Sequence, residues 1–382
     1  MASMSALNVL RCLDCGKCTS ACPVARYNRS LSPRRIVRRL GEGHDGAGGD
    51  ALWACLTCMY CDTRCPQQVS ISKIMPAVRA KMREAGEKPP FTRCGAMESI
   101  SVIQSQASVP QNRLDWVPAD VKTDPAGKTV LWIGCTPYFD AFYAENGVKT
   151  VEAVIGAIRI LNAMGIEPAL LKQERCCGHD ALWAGDHETF ERLAKMNVGM
   201  FEMHAPELVL TVCPECSLML GREYKELFGQ PACEVKHFAE WLSEHAQGLP
   251  LQPQALKVTF EDPCRLGRHQ GKYDEPRRAL GAVPGLELME MGHNRGRATC
   301  CSGNWLSCNQ ATKRIQTDLL KEAQATGSEM LVTACPKCMI HLKCAQTGDN
   351  NVPGIEIRDL VTVVAGALAG SSATTSSPKE RG

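Results

Sequence analysis

Residues 12–23, CLDCGKCTSACP, and residues 55–66, CLTCMYCDTRCP, repeat one spacing, CxxCxxCxxxCP, and that repeat decides how the chain is divided. Three closely spaced thiolates can wrap three corners of an iron–sulfur cube, while the turn after the third points the fourth cysteine elsewhere. Where two such runs share a chain, each fourth cysteine serves the other cube. Cys12, Cys15, Cys18 and Cys65 are therefore assigned to one 4Fe4S cubane, and Cys55, Cys58, Cys61 and Cys22 to the second. A pair of zinc sites is the competing reading. Zinc sites use two cysteine pairs roughly 12–20 residues apart, not runs that each close with a proline, here Pro23 and Pro66.

The 32 residues between Cys22 and Cys55 include SPRRIVRRL (32–40), in which Ser32 can cap a helix whose first position is Pro33. After the second run, SKIMPAVRAKMREAG (72–86) continues in helical pattern. Residues 1–93 are thus expected to form an all-α ferredoxin domain rather than the compact β-hairpin type. They hold 15 Lys and Arg against 7 Asp and Glu, a net +8 that leaves −6 for the remainder. That excess reads either as a solvated face with counter-charge for anionic clusters or as a docking surface for an acidic electron donor. Residues 94–127, rich in Ser, Gln and Pro with one cysteine (Cys94), read as a linker.

The whole chain has 382 residues, 44% hydrophobic and 22% charged, with net charge +2. This composition excludes disordered and nucleic-acid-coating classes and predicts two to three domains. Twenty-two cysteines behind an opening MASMSALNVLRCLDC, which has no long apolar leader, point to a reducing, cytoplasmic setting in which clustered cysteines hold metal. Of the most apolar stretches, VEAVIGAIRILNAMGIEPALL (151–171) is interrupted by Glu152 and Arg159, and DLVTVVAGALAG (359–370) is too short to span a bilayer. Any membrane contact would be peripheral, through a partner.

Beyond residue 127 the sequence repeats itself at domain scale. KTVLWIGC (128–135) and ALKVTFEDPC (255–264) are apolar, β-branched runs ending in cysteine, as expected of buried strands. PELVLTVCPEC (206–216) matches SEMLVTACPKC (328–338), and EVKHFAEWL (234–242) resembles EIRDLVTVV (356–364). Helical patterns at 187–205 and 309–327 lie between, so each copy, 128–247 and 255–370, is expected to be a small α/β unit. GLPLQPQ (248–254) joins them, and residues 371–382 read as a disordered polar tail. The fold expected is α+β and multidomain, a helical ferredoxin domain followed by two tandem α/β modules.

Each copy offers five thiols in the same order. The first has Cys135, the pair Cys176–Cys177 before Gly178, then Cys213 and Cys216. The second has Cys264, Cys300–Cys301, Cys335 and Cys338, leaving Cys94, Cys233, Cys308 and Cys344 unassigned. An adjacent pair chelates one ion poorly but can bridge two irons of a larger cluster. Five ligands exceed what one zinc or one cubane requires. A zinc site with a spare thiol and a redox-active vicinal disulfide are the other readings.

The quintet Cys, CCG, CPxC resembles the cysteine-rich CCG domain of heterodisulfide reductases, and CLDCGKCTSACP with LWACLTCMYCDTRCP resembles their ferredoxin-like C-type subunit. The order found here, C-type features followed by B-type features over about residues 9–370, resembles the D-type subunit of heterodisulfide reductase. Similar two-part chains occur as iron–sulfur subunits of glycolate oxidase, anaerobic glycerol-3-phosphate dehydrogenase and acyl-CoA reductase complexes. The resemblance implies a noncubane 4Fe4S cluster on each quintet, besides the two cubanes, and reductive cleavage of a disulfide between the paired clusters. Cys135, Cys176, Cys177, Cys213 and Cys216 would carry the first, and Cys264, Cys300, Cys301, Cys335 and Cys338 the second. Two departures bear on geometry: Ser302 stands where the second motif's glycine would be, and the first gap is 40 residues against 35 in the second copy.

Disulfide reduction takes two electrons and two protons, whereas cubanes change by one electron, so the runs are expected to deliver electrons singly. His179 and His341 are candidate proton sources. With no GxGxxG or GxxxxGK[ST] run, flavin and nucleotide are expected on another subunit. The implied partner is an electron donor, whether a flavoprotein, a hydrogenase-linked subunit or a cytochrome b, in a hetero-oligomeric complex. The rival function is an electron-transfer subunit without its own substrate, wiring a flavoprotein, a 2-hydroxyacid or glycerol-3-phosphate dehydrogenase, or an acyl-CoA reductase.

Overall fold

The structure is a computed structural model that describes residues 8–44, 52–349 and 351–370. The tail expected to be disordered, 371–382, lies outside the described residues. Between Val9 and Glu84 the regular elements are helical. Ser32 caps the helix Pro33–Gly41, its hydroxyl accepting from Arg35 N at 3.3 Å, and Pro33 takes the first position, where its missing N–H costs nothing. Pro33, Ile36, Val37 and Leu40 form the buried stripe of that helix, at helical spacing, with arginines on the outer face. Helix Ile71–Glu84 buries Ile71, Ile74, Met75, Val78 and Met82. These side chains do not close a core among themselves. They merge with Ile315, Leu319 and Leu342 of the C-terminal part, so the N-terminal helices share one apolar cluster with the second copy.

All strands pair in parallel, which requires helical crossovers. The first sheet contains β1 (Thr129–Trp132), β2 (Leu208–Thr211) and β3 (Glu234–His237) in that order. The second contains β4 (Leu256–Glu261), β5 (Leu286–Leu288), β6 (Met330–Thr333) and β7 (Glu356–Asp359), ordered β5-β4-β6-β7. Where the second sheet has β5, the first has a single bridge, Val130 to Ala169. The registers correspond: Trp132, Thr211 and His237 stand side by side in one sheet, and Glu261, Thr333 and Asp359 in the other. Between the sheets, helix Val151–Ala163 packs on Leu360–Gly366, while Phe238–His245 packs on Asp274–Gly281. That reciprocal exchange is the pattern of a pseudo-two-fold, and its apolar cluster joins Leu131, Phe238 and Trp241 to Phe260 and Val364.

The segment read as a linker does more than link. It carries the helix Ala96–Gln104, and its Gln104 and Arg113 are buried against the first copy. Polar composition hides this, because these side chains are buried by hydrogen bonding rather than by apolar periodicity.

His237 and Asp359, equivalent in register, each cap the following helix: His237 Nδ1 accepts from Ala239 N at 3.1 Å and Asp359 Oδ1 from Val361 N at 2.8 Å. Burial lowers His237 from 6.5 to about 4 and raises Asp359 from 3.8 to about 7. Between pH 4 and 6.5 the unfolded chain binds the His237 proton that the fold refuses, so this contribution to stability is lost as pH falls through that window. Between pH 4 and 7 the fold holds the Asp359 proton that the unfolded chain releases, so stability declines as pH rises through it. Thermal melting against pH should show the first slope removed in His237→Asn and the second in Asp359→Asn; profiles parallel to wild type would refute both.

Candidate metal centre

Both quintets form at the carboxyl ends of parallel strands, where α/β sheets place ligand sites. Cys135 follows β1 and precedes the helix Thr136–Phe142; Cys213 precedes the helix Pro214–Leu218, which carries Cys216. Cys177 and Cys216 sulfurs lie 3.5 Å apart, Cys135 touches Cys176, and Cys213 touches Cys216. The contact order is thus 135, 176, 177, 216, 213. The second copy repeats it as 264, 300, 301, 338, 335, with Cys264 and Cys300 sulfurs 4.0 Å apart. At these separations no S–S bond is formed.

Thiols crowded this way cannot all ionise without added positive charge. Contact with Cys176 raises Cys135 far above its ordinary value, while contact with Cys135 lowers Cys176. In the second copy contact with Cys264 raises Cys300, and contact with Cys300 lowers Cys301. Bound iron would supply the charge that makes every member a thiolate, so the donor set of each quintet fits a thiolate-bound iron–sulfur group.

Ser302 resolves the departure in the second motif. It takes the left-handed backbone of its counterpart, φ 60° against 77° at Gly178, so the two cysteine pairs turn alike. Serine in that region costs about 1–2 kcal/mol, and its buried hydroxyl has no partner among the described residues. Ser302→Gly is therefore expected to stabilise the chain by about 1 kcal/mol with unchanged metal content, as read by urea unfolding; a destabilisation of that size would show that the hydroxyl has a role.

Two cavities lie among the N-terminal runs. Cys12, Cys15, Cys18 and Cys65 line one, and Cys22, Cys55, Cys58 and Cys61 the other. Cys58 also touches Cys300, so the second run abuts the second quintet. Around this junction are three buried arginines, Arg79, Arg265 and Arg268, with no carboxylate partner among the described residues. Arg79 donates to the carbonyls of Leu52, Cys55 and Trp183. Arg265 donates to Thr57 O at 2.7 Å and lies over the Trp183 ring, and Arg268 donates to Cys58 O at 2.7 Å. Burial works to lower Arg268, and the Cys58, Cys264 and Cys300 sulfurs outweigh it, raising it above its ordinary value. Buried cations need counter-charge, and for Arg268 the sulfurs of Cys58, Cys264 and Cys300 are the groups placed foremost to give it.

A second polar cluster ties the copies together. Lys337, from the CPKC turn, pairs with Asp180 and, at 2.7 Å, with Glu215 of the CPEC turn. Trp305 Nε1 donates to Asp180 at 2.8 Å. His179 Nδ1 sits 3.1 Å from Asp180 and 3.4 Å from Glu215, and burial lowers its pKa. Burial likewise brings His341 to about 4, its ring packed on Trp305 at 4.8 Å. Each histidine has a buried Nε2 that lacks a partner among the described residues.

Sequence reading missed the brace behind the first pair. Glu174 accepts from the amides of Ile133 at 3.0 Å and Gly134 at 2.6 Å and pairs with Arg113, while Gln104 Oε1 accepts from Cys176 N at 2.8 Å. A lone Glu two residues before CC carried no signal for this. Among the leftover cysteines, Cys94 and Cys308 are exposed.

Residues 8–69 match the family of 4Fe-4S dicluster domains, and residues 130–221 and 258–343 both match the cysteine-rich domain family CCG. The D-type subunit of the dihydromethanophenazine:CoB–CoM heterodisulfide reductase of Methanosarcina barkeri is 26% identical over 94% of this chain and 93% of its own length. A "Probable membrane-anchored ferredoxin" of Chromohalobacter salexigens is 28% identical over 94% of this chain, which spans only 59% of that relative. A hypothetical protein from Helicobacter pylori shares the fold, with TM-score 0.54 and 11% identity over 80% of this chain and 59% of that one. Among the described residues no helix is long and apolar enough to cross a membrane.

Proposed function

We propose that this chain, an iron–sulfur oxidoreductase like the D-type subunit of heterodisulfide reductase, takes single electrons from a partner subunit at its N-terminal runs and reductively cleaves a disulfide at its paired quintets. The observation that carries this reading is the contact between Cys58 and Cys300, which joins the relay to the candidate site within one buried cluster. Cys12, Cys15, Cys18 and Cys65 would hold one cubane, and Cys22, Cys55, Cys58 and Cys61 the other. The ten repeated cysteines would hold two noncubane clusters. When bound, such clusters supply one-electron redox steps and iron with affinity for thiolate sulfur.

The chain's own residues keep the site dry and oriented. Glu174 and Gln104 fix the backbone beside the first quintet, Arg265 and Arg268 set the charge around the second, and Lys337 holds the two CPxC turns against each other. The overall reaction consumes two electrons and two protons per disulfide and releases two thiols. The donor would be a flavoprotein, hydrogenase-linked subunit or cytochrome b, in a cytoplasmic complex that reaches a membrane through that partner.

A substrate-free electron relay is the second reading, favoured by the ferredoxin name of a relative that covers 94% of the chain. Anaerobic preparation of the full chain, iron and sulfide analysis, and EPR after thiol–disulfide treatment separate the two. The expected result is about sixteen irons per chain and a paramagnetic state that appears only with a disulfide substrate. A brown protein without that response supports the relay, and an iron shortfall at the C-terminal half removes the disulfide chemistry.

A further inference from the structure

The two quintets are not chemically alike. At the ladder position before the first cysteine of each copy, β1 places Trp132 beside Thr211 and β4 places Glu261 beside Thr333. Both side chains are buried: Trp132 is 0% exposed and Glu261 1%. In the second copy a Glu261 carboxylate oxygen, Cys301 Sγ and Cys338 Sγ all lie within 4.8 Å of one another. Thr333 Oγ1 donates to Oε2 at 2.7 Å, Oε1 is buried with no N–H or O–H partner among the described residues, and the Cys338 thiol is in hydrogen-bond contact with the carboxyl. No Lys or Arg among the described residues pairs with Glu261.

A buried carboxylate without a cation needs a proton or a metal. The Thr333 hydroxyl bond on Oε2 is the support that ligating carboxylates receive from outside the metal shell, and a carboxylate oxygen of Glu261 lies within 4.8 Å of both sulfurs. We propose that Glu261 supplies an oxygen ligand to the iron held by the second quintet, so that this site binds through five sulfurs and one oxygen while the first binds through sulfur alone. The inference rests on the reading above that the second quintet holds an iron–sulfur cluster. It assigns the two copies different electronic character: a hard oxygen donor at one, an indole at the other.

The test uses the full chain loaded anaerobically with ⁵⁷Fe and sulfide, as wild type and Glu261→Gln. Mössbauer spectra of the wild type are expected to contain an oxygen-bound iron subsite, and Glu261→Gln should lose that subsite while the signals of the N-terminal cubanes stay. Identical spectra and iron content in the two proteins would overturn the assignment. So would a protonated-carboxyl stretch in the infrared spectrum of the loaded wild type that Glu261→Gln lacks, since it would show a proton where iron is proposed. Should Glu261→Gln fail to fold by circular dichroism, wild type labelled with ¹³C-carboxyl glutamate answers instead: an ENDOR coupling to that carbon is expected, and its absence refutes the ligand. If the wild type holds iron only in its N-terminal runs, the cluster reading itself falls, which is distinguishable from a loaded second site that ignores Glu261.

Discussion

Lys337→Met is expected to destabilise the chain by about 3–5 kcal/mol, the usual consequence of removing one partner from a buried ion pair. Lys337 is 3% exposed and meets two carboxylates, Asp180 and Glu215. Burial works to raise Asp180, and the Lys337 ammonium together with His179 outweighs it, holding the carboxyl below its usual range. The same balance appears on the lysine, where burial opposes the charge and the two carboxylates prevail. Without the ammonium both anions would remain in a site shared with crowded thiols. Glu215 and Lys337 are the variable residues of the two CPxC turns, so the pseudo-two-fold sets opposite charges face to face. The loss should therefore appear as separation of the two copies. Urea unfolding measures it, and Lys337→Met combined with Asp180→Asn and Glu215→Gln should recover much of the difference. A Lys337→Met chain within 1 kcal/mol of wild type would show that the pair carries no net stability.

Gly185→Ala should be nearly as damaging, at about 2–5 kcal/mol, although no charge or cysteine is touched. Gly185 has φ +78°, and a Cβ there would stand 2.7 Å from the carbonyl carbon of Arg79 and closer still to the Ala80 nitrogen. The left-handed backbone accounts for about 1–2 kcal/mol and the displaced helix for about 1–3 kcal/mol. These neighbours are backbone atoms of helix Ile71–Glu84, which cannot rotate away as a side chain would. That helix holds the second cysteine run through Arg79, which donates both to Cys55 O and to Trp183 O just ahead of the glycine. Pushing it outward would loosen the seam on which the Cys58–Cys300 contact depends. Melting temperature and iron retention during mild urea treatment should fall together; a chain with wild-type values of both would show that the seam yields without cost.

Much of the architecture was legible in one dimension because it is carried by local rules. Ser32 and Pro33 announce a helix start through hydrogen-bond chemistry that acts within four residues, and the β-branched runs ending at Cys135 and Cys264 announce buried parallel strands. The cysteine spacings belong to the same class, since a thiolate's reach is set by the few bonds between neighbours. The sequence also showed two copies, because a domain-scale repeat preserves order. It did not show that residues 94–127 are packed, since Gln104 and Arg113 are held by partners up to 72 residues away and have no apolar period.

By itself, then, the sequence determined the metal-binding character of the chain, the doubled quintet and the helical and strand segments that present them. Tertiary structure alone decided that Cys58 meets Cys300, that Lys337 faces Glu215, that Arg79 is locked between two parts of the chain, and that Glu261 rather than Trp132 stands beside one pair of sulfurs. The physical reason is that side-chain chemistry and local backbone preference are properties of a few neighbouring residues. Charge balance in a dry interior, and the approach of one backbone to another, depend on which faces pack together, and no short stretch of sequence encodes that.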